Sequence, residues 1–207
     1  LEGFVLNDDL HLLYLATPIQ WLQEENWDSR RWACFYQIWC HSLKERERQI
    51  GRHVGLDEGW LQRAKCIKDA QIDMEKARIA KRFRAALILK EVIQETPPLQ
   101  ICDLFEMPAS FIGDLEGLQE RAASTAGQIA LFCERLKSAP YLDALGLWKL
   151  EALLRALRDR IGHGVKPELL GLMDIPHVGT RRARLLIRSG LRDMRQVAKV
   201  ELRCEQN

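Results

Sequence analysis

The chain has 207 residues, of which 47% are hydrophobic, and its 31 Lys and Arg nearly balance 29 Asp and Glu, giving a formal net charge of +2. This length suffices for one sizeable core, or for one domain with a small appendage. No apolar run approaches the ~20 residues that a membrane-spanning helix needs, and no charged-then-apolar leader is present. The first residue is Leu1 rather than methionine, and we therefore expect a piece of a longer protein.

The cysteine pattern indicates a reducing intracellular compartment. The six cysteines lie far apart without a paired CxxC motif, and several fall on apolar helix faces, where a free cysteine behaves as a small hydrophobic residue. We therefore predict no disulfide framework. Cys34, Cys40 and His41 have the wrong spacing for a zinc finger and no second pair exists, so no metal site is predicted.

Strand signals are weak along the whole chain, which lacks sustained alternation and Asn-Gly or Asp-Gly turns. Residues 7–9 can cap a short apolar helix over residues 10–16, which Pro18 ends. Asp28 begins a helix that is rich in aromatic side chains. Five of the six tryptophans precede residue 61, and we interpret them as core residues rather than as stacking platforms for bases.

Three further helices are predicted before the prolines at 97 and 98. Two short ones, over residues 44–54 and 57–66, flank Gly55, and a long amphipathic one runs over residues 69–96. Residues 76–84 of the long helix read Lys-Ala-Arg-Ile-Ala-Lys-Arg-Phe-Arg and are basic on one side. A solvated face is the ordinary interpretation of such a run, and contact with a nucleic-acid backbone is the alternative.

The next long helix is predicted over residues 110–136, because apolar residues recur there every three or four positions. The predicted core positions are Leu115, Leu118, Ala122, Thr125, Ile129, Phe132 and Leu136. The opposite face is small and polar without acidic residues, and consists of Gly117, Arg121, Ser124, Gln128 and Arg135. Such a face allows the close approach of another backbone, which can be a neighbouring helix or a nucleic acid.

A compact helical hairpin is predicted near the C-terminus. A linking helix over residues 147–161 leads to Pro167, which suits the first turn of a helix. The connection that contains Gly179 is too short for any element, and a second helix runs from Thr180 to Gly190. A glycine at such a turn lets the backbone approach a phosphate, toward which the next helix points its free N–H groups and its positive dipole end.

Positive charge is concentrated in the same region. Residues 147–207 contain 13 Lys and Arg against 7 Asp and Glu, whereas residues 1–146 carry a net charge of −4. This asymmetry favours a localised contact with a polyanion, of the sequence-independent and salt-dependent kind that phosphates make. The predicted contacts are Gly179, Thr180, Arg181, Arg182 and Arg184. A plain helical hairpin within a bundle is the structural alternative.

Two segments carry a resemblance to a known family. Residues 3–18, Gly-Phe-Val-Leu-Asn-Asp-Asp-Leu-His-Leu-Leu-Tyr-Leu-Ala-Thr-Pro, resemble the segment after the winged-helix domain in certain superfamily 2 DNA repair helicases. These are the enzymes related to the helicase module of DNA polymerase theta. Residues 161–170 and 175–186 are similar to their C-terminal helix-hairpin-helix. The order and spacing of the segments also fit, so the resemblance covers nearly the whole chain.

The resemblance implies an all-α fold with two parts. A ratchet-type multi-helix bundle would span residues 1–146, and a small domain with the linking helix and the helix-hairpin-helix would span residues 147–207. The helix over residues 110–136 would be the ratchet helix, which lies along translocating single-stranded DNA. Where family members can carry an arginine and a tryptophan as DNA contacts, this chain has Gly117 and Ser124. From helical phase, we expect Arg121 and Gln128 to take the contact role.

The resemblance further implies that the parent protein is an ATP-dependent 3′-to-5′ DNA helicase, nuclear if eukaryotic. Its implied partners are single-stranded or forked DNA, with recombinase or single-strand-binding proteins as further candidates. No Gly-x-x-x-x-Gly-Lys-Ser/Thr loop occurs in the 207 residues, so ATP and magnesium are implied for the parent alone. No constellation indicates a nucleophile or an acid–base pair, and we predict no catalytic residue, cofactor or metal in the chain itself.

Two other functions remain open. A helix-hairpin-helix DNA glycosylase is also all-helical and places a catalytic aspartate after the hairpin. Asp193 is the single aspartate beyond Gly179, but too little chain follows it to close a pocket around an extruded base. A protein-interaction bundle would instead dock a recombination or repair partner through the aromatic-rich first third.

Overall fold

The computed structural model describes residues 8–18, 27–66, 73–136 and 147–204, which form helices and no strand and so confirm the predicted all-α class. Among these residues, no helix is both long and apolar enough to cross a membrane. The helices are α1 Asp9–Ala16, α2 Ser29–Gln37, α3 Glu45–His53, α4 Glu58–Ala64, α5 Met74–Ile93, α6 Pro98–Leu104, α7 Phe111–Leu136, α8 Leu147–His163, α9 Leu170–Met173, α10 Thr180–Arg188 and α11 Met194–Cys204. A π-helical turn, Ile38–Ser42, extends α2, and a 3-10 turn, Pro167–Leu169, precedes α9.

Aspartates begin several helices at the predicted places. The carboxylates of Asp8, Asp28 and Asp57 each accept a backbone N–H from two or three residues further on, at 2.9 to 3.0 Å. Each of these bonds satisfies a donor that the start of a helix leaves unpaired. The long helix ends at Ile93, three residues before the predicted end, and the prolines at 97 and 98 instead begin α6, a short helix that the sequence pattern did not indicate.

Helix α5 lies at the centre of the bundle, where it packs on α1, α6, α7 and α8. Arg84 in its basic run is only 4% exposed; its Nη2 donates to the carbonyl of Phe105 at 2.8 Å, and its guanidinium lies over the ring of Trp27. Arg82 donates to the carbonyl of Leu15 at 3.0 Å. The interpretation of this run as a solvated face is therefore wrong for these two arginines, which hold helices together.

The aromatic side chains of the first third belong to the core, as predicted. Trp27, Trp32, Trp39 and Trp60 are all buried. The ring centroids of Trp27 and Trp32 lie 4.5 Å apart, and those of Trp32 and Trp60 lie 5.2 Å apart in an edge-to-face arrangement. Trp21 lies outside the described residues, and the sixth tryptophan, Trp148, is exposed on α8.

Helices α7 and α8 form an antiparallel pair. Gln119 near the start of α7 donates to the carbonyl of Ile161 near the end of α8 at 2.7 Å. Glu134 near the end of α7 accepts from Arg155 of α8, also at 2.7 Å. Beyond Leu118, the buried face of α7 consists of small side chains, which let two helix backbones come close together. They are Ala122, Ala126, Ala130 and Cys133.

The buried stripe of α7 departs from the predicted one in its second half. Leu115, Leu118 and Ala122 are buried as predicted, but Phe132 is 60% exposed. Thr125, Ile129 and Leu136 are only half-buried. The prediction followed a 3.5-residue repeat, whereas a straight helix has 3.6 residues per turn, so the predicted stripe drifts by about 20° per heptad. Phe132 thereby turns from the core to the solvent.

Two apolar clusters divide the core of the described residues. The large one collects side chains from α1 to α8 and includes Leu154 and Ile161 of α8. The small one consists of Val165, Leu169, Leu172 and Ala183. The predicted domain boundary after residue 146 lies outside the described residues and stays a prediction. The apolar face of α8, which the sequence assigned to the second domain, packs in the large cluster.

Candidate nucleic-acid interface

A tight helical hairpin forms where the sequence predicts one. The N–H of Ile175 donates to the carbonyl of Leu172 at 3.2 Å, and the N–H of Val178 donates to that of Ile175 at 3.1 Å, so the turn between α9 and α10 is compact. His177 in this turn has a φ of 64°, in the left-handed region. We call residues 165–197 the hairpin module, because their apolar side chains share the small cluster.

Gly179 immediately precedes α10 and leaves its first turn open. No side chain caps this helix start, and a Cβ added at Gly179 would meet nothing within 4 Å. The φ of Gly179 is −88°, which any residue can adopt, so neither backbone conformation nor internal packing requires a glycine there. An approach from outside the protein would use both the open space and the free N–H groups.

Two arginines of α10 face solvent beside this open turn. Arg181 and Arg182 are exposed, and Nη1 of Arg182 donates to the carbonyl of His177 at 2.6 Å. Thr180, the first residue of α10, is half-buried. The structure therefore brings four of the predicted contacts, residues 179–182, together at one end of one helix.

Arg184 has a different environment from its neighbours. Its Nε and Nη2 donate to the two carboxylate oxygens of Glu95 at 2.7 and 2.5 Å, and its Nη1 donates to Glu168 at 3.0 Å. The hydrogen bonds with Glu95 raise the pKa of Arg184 above its usual value. Burial raises the pKa of Glu95, but the hydrogen bonds from Arg184 and from the Lys166 amide outweigh it, and the net pKa is lowered. Two carboxylates, those of Glu95 and Glu168, hold the guanidinium of Arg184 in this structure. The phosphate contact predicted for Arg184 therefore stays a prediction.

The two predicted contacts on α7 lie on its outer face. Arg121 and Gln128 are exposed, and the seven positions that separate them correspond to two helical turns, or about 10 Å along the axis. Gln119, half a turn before Arg121, donates to the carbonyls of Ile161 and Gly162 at 2.7 and 3.2 Å. Gln119 thus links α7 to the segment that leads into the hairpin module. The predicted contacts on α7 and those at the start of α10 are two separate groups, and this link connects the elements that carry them.

Phe132 is the residue of this face that sequence reasoning missed. It follows Arg121 by eleven residues, close to three helical turns, and therefore projects on nearly the same side of α7. An exposed aromatic ring beside polar and cationic side chains is typical of surfaces on which bases stack. The signal that identifies it is the 3.6-residue repeat, which places Phe132 about 20° from Arg121 around the helix axis.

Within the described ranges, no group of three or more His, Cys, Asp and Glu side chains is arranged to hold a metal ion. Among the described residues, Cys34, Cys40, Cys66 and Cys102 form no disulfide bond. Asp193 accepts the backbone N–H of Gln196 at 2.8 Å, so this aspartate caps α11. The arrangement of the hairpin and α7 is suited to binding an extended anion.

Comparison with known proteins places the chain near DNA polymerase theta and DNA helicases. The family model described as "DNA_pol_Q helicase like region helical domain" matches residues 1–161. DNA polymerase theta of Mus musculus is 31% identical over 206 residues, covering 97% of this chain and 7% of the relative. The human Helicase POLQ-like is 26% identical over 198 residues, covering 96% and 16%. ATP-dependent DNA helicase Hel308 of Aeropyrum pernix is 45% identical over 75 residues, covering 36% and 10%. The chain thus spans less than a fifth of the length of each of these relatives.

Proposed function

This chain belongs to the family of the DNA_pol_Q helicase-like region helical domain, and on that premise we propose that it is the strand-binding part of an ATP-dependent DNA repair helicase. The observation that carries the proposal is the open, uncapped start of α10 beside Arg181 and Arg182. The domains that bind ATP and Mg²⁺ lie outside the chain in this proposal, and the chain itself performs no catalysis.

The hairpin module binds the phosphate backbone. A phosphate in front of Gly179 accepts the free N–H groups of the first turn of α10 and meets the positive end of its dipole. Arg181 and Arg182 add charge-assisted hydrogen bonds at the same end. None of these donors reads a base edge, so the proposal entails little sequence preference and strong salt dependence.

Helix α7 binds the same strand over a longer distance. Arg121 and Gln128 contact its backbone, and Phe132 stacks on a base about 16 Å along the helix axis from Arg121. The motor domains outside the chain advance the strand in steps; α7 holds it between steps and the hairpin module holds the emerging part. The DNA is a single strand or a fork, and the proposed location is the nucleus if the source is eukaryotic.

A second proposal is the docking of a recombinase or a single-strand-binding protein. Among the described aromatic residues of the first third, Trp27, Trp32, Trp39 and Trp60 are buried, so these four do not form the docking surface. The support for this proposal is that α7 and α8 expose two apolar residues besides Phe132, namely Leu131 and Trp148. For the glycosylase alternative, the structure shows Asp193 as the cap of α11, and no observation favours a catalytic role for it.

The test is fluorescence anisotropy of labelled single-stranded and forked DNA across a salt series. We expect the Arg181→Glu/Arg182→Glu variant to bind more weakly, with a slope of log affinity against log salt that is smaller by about 0.7 for each phosphate that the variant no longer neutralises. The matched control, Arg30→Glu/Arg63→Glu, reverses two exposed arginines on α2 and α4 and leaves the same net charge.

Two results would contradict the proposal. If both variants weaken binding equally, net charge rather than the hairpin governs affinity. If the wild-type chain does not bind DNA, or binds without salt dependence, the backbone contact fails and the partner-docking proposal gains weight.

A further inference from the structure

The hairpin module is attached to the bundle through polar contacts. Its apolar side chains form their own small cluster, separate from that of the bundle. The chain passes from the bundle into the module over residues 161–166, and this connecting segment is held by side chains from two parts of the bundle. Gln119 of α7 binds the carbonyls of Ile161 and Gly162, while the carboxylate of Glu95, just beyond α5, accepts the N–H of Lys166 at 3.0 Å.

Glu95 also accepts both of the short hydrogen bonds from Arg184 described above. The pair is well shielded for an ion pair at a surface, since the side chains of Glu95 and Arg184 are 14% and 28% exposed. Shielding and the two parallel bonds make such a pair both stronger and more directional than an exposed one. One carboxylate thus binds the connecting segment and α10 at the same time.

The backbone of Glu95 is held in an unfavourable conformation. Its φ is 66°, in the left-handed region, at the position after a helix where glycine is the favoured residue. A residue with a Cβ has a higher free energy than glycine in this backbone conformation, so the conformation at the end of α5 favours glycine over glutamate. The contacts with Lys166 and Arg184 supply the compensation, as expected where the surroundings dictate a strained residue.

We infer that Glu95 is a positioning residue that fixes the hairpin module on the bundle by binding Arg184 of α10 and the amide of Lys166. Arg184 on this view is half of a latch rather than a phosphate contact. Because the latch fixes the distance between α7 and the start of α10, a strand that reaches both is bound by two linked sites. This last consequence rests on the proposed function, whereas the latch itself does not.

The first experiment needs no DNA. Glu95→Gly removes the carboxylate and places the favoured residue at the end of α5, so the bundle should melt at an equal or higher temperature. We expect hydrogen exchange to become several-fold faster in peptides that contain Lys166 and α10, but not in those from α5 or α7. Arg184→Gln should speed hydrogen exchange in the same peptides. Arg52→Gln is the matched control, since Arg52 pairs with Glu45 at 2.8 Å within α3.

The second experiment measures affinity for oligonucleotides of about 4 to about 20 nucleotides, and the length at which affinity rises separates the shorter strands, which occupy one site, from the longer strands, which reach both. We expect Glu95→Gly and Arg184→Gln each to weaken the binding of the longer strands about tenfold and to leave that of the shorter ones unchanged.

Three results would overturn the inference, and each has a distinct meaning. Unchanged hydrogen exchange in both variants means that other contacts fix the module. If Arg184→Gln weakens the binding of shorter and longer strands alike while Glu95→Gly tightens it, Arg184 is a phosphate contact that Glu95 sequesters. Equal loss of affinity for shorter and longer strands in both variants indicates damage to a single site. Absence of DNA binding by the wild-type chain refutes the proposed function instead, and hydrogen exchange still decides the latch.

Discussion

Arg160 and Asp9 are joined by two parallel hydrogen bonds, each 2.8 Å long, that tie the last long helix of the bundle to its first. The environments of the two side chains are unequal. The Arg160 side chain is 9% exposed, whereas that of Asp9 is 39% exposed. Removing the carboxylate leaves a buried cation without its partner, but removing the cation leaves an aspartate that water can reach.

Asp9→Ala should therefore destabilise the fold more than Arg160→Met, which keeps most of the buried volume. We expect a loss of about 2 kcal/mol for Asp9→Ala and less than about 1 kcal/mol for Arg160→Met, from the cost of an unpaired buried charge. Chemical denaturation with urea measures both. Equal losses in the two variants would mean that the pair acts through packing rather than through charge.

His11 should make the fold sensitive to mildly acidic pH. Burial lowers the pKa of His11, the nearby His53 lowers it further, and Asp8 opposes the shift. Since the folded-state pKa lies below the unfolded value of 6.5, the stabilisation from neutral His11 is complete above pH 6.5 and is lost as pH falls through the folded pKa. Melting curves between pH 7.5 and 5 should show this loss, and His11→Gln should flatten it. The carboxylates of Glu95 and Asp57 also have lowered pKa values, but their protonation changes the stability of the fold only below about pH 4.5.

Substitution by alanine should affect the stability of the fold at one glycine and the affinity for DNA at another. Gly51→Ala places a Cβ 2.5 Å from the buried indole of Trp39 and should cost about 1–3 kcal/mol of stability. Gly179→Ala meets no atom within 4 Å, so the fold should change by less than about 1 kcal/mol. If a phosphate approaches the start of α10, Gly179→Ala should weaken DNA binding about tenfold, the value of one charge-assisted hydrogen bond. Melting and anisotropy on both variants check the contrast, and unchanged DNA affinity in Gly179→Ala would refute the close approach.

Phe132→Ala should weaken single-strand binding by about 1–3 kcal/mol if the ring stacks on a base. Stability should hardly change, because the ring is mostly exposed. Trp148→Ala is the matched control, since it removes a similarly exposed aromatic side chain from the partner helix α8. An equal effect of the two substitutions on DNA affinity would argue against a specific stacking site on α7.

Local signals in the sequence predict most of the fold. The aspartates at 8, 28 and 57 set helix starts, and Pro18 follows the end of α1, because capping and backbone restriction act within a few residues. The exposure of Phe132 escapes the same approach because short windows do not distinguish a 3.5-residue from a 3.6-residue repeat, and the error accumulates along a helix of 26 residues.

The candidate site was predictable only in part, since some of its contacts join distant segments. Arg184 looks like its exposed neighbours in sequence, but Glu95, which binds it, lies 89 positions earlier. No periodicity connects two such residues, and tertiary packing decides their pairing. The same holds for Arg84 and Phe105, whose contact turns part of a basic run into an internal support.

The alanines on the buried face of α7 have a mechanical consequence. Alanine has no rotatable side-chain dihedral, so the contact at Ala122, Ala126 and Ala130 cannot rearrange by changing rotamers. A tensile load on the outer face of α7 would therefore be transmitted to the neighbouring helices with little change in side-chain conformation at this contact. Long flexible side chains at these positions would absorb part of such a pull as conformational change. We therefore expect the pair formed by α7 and α8 to deform less under load than a helix pair joined by long, flexible side chains.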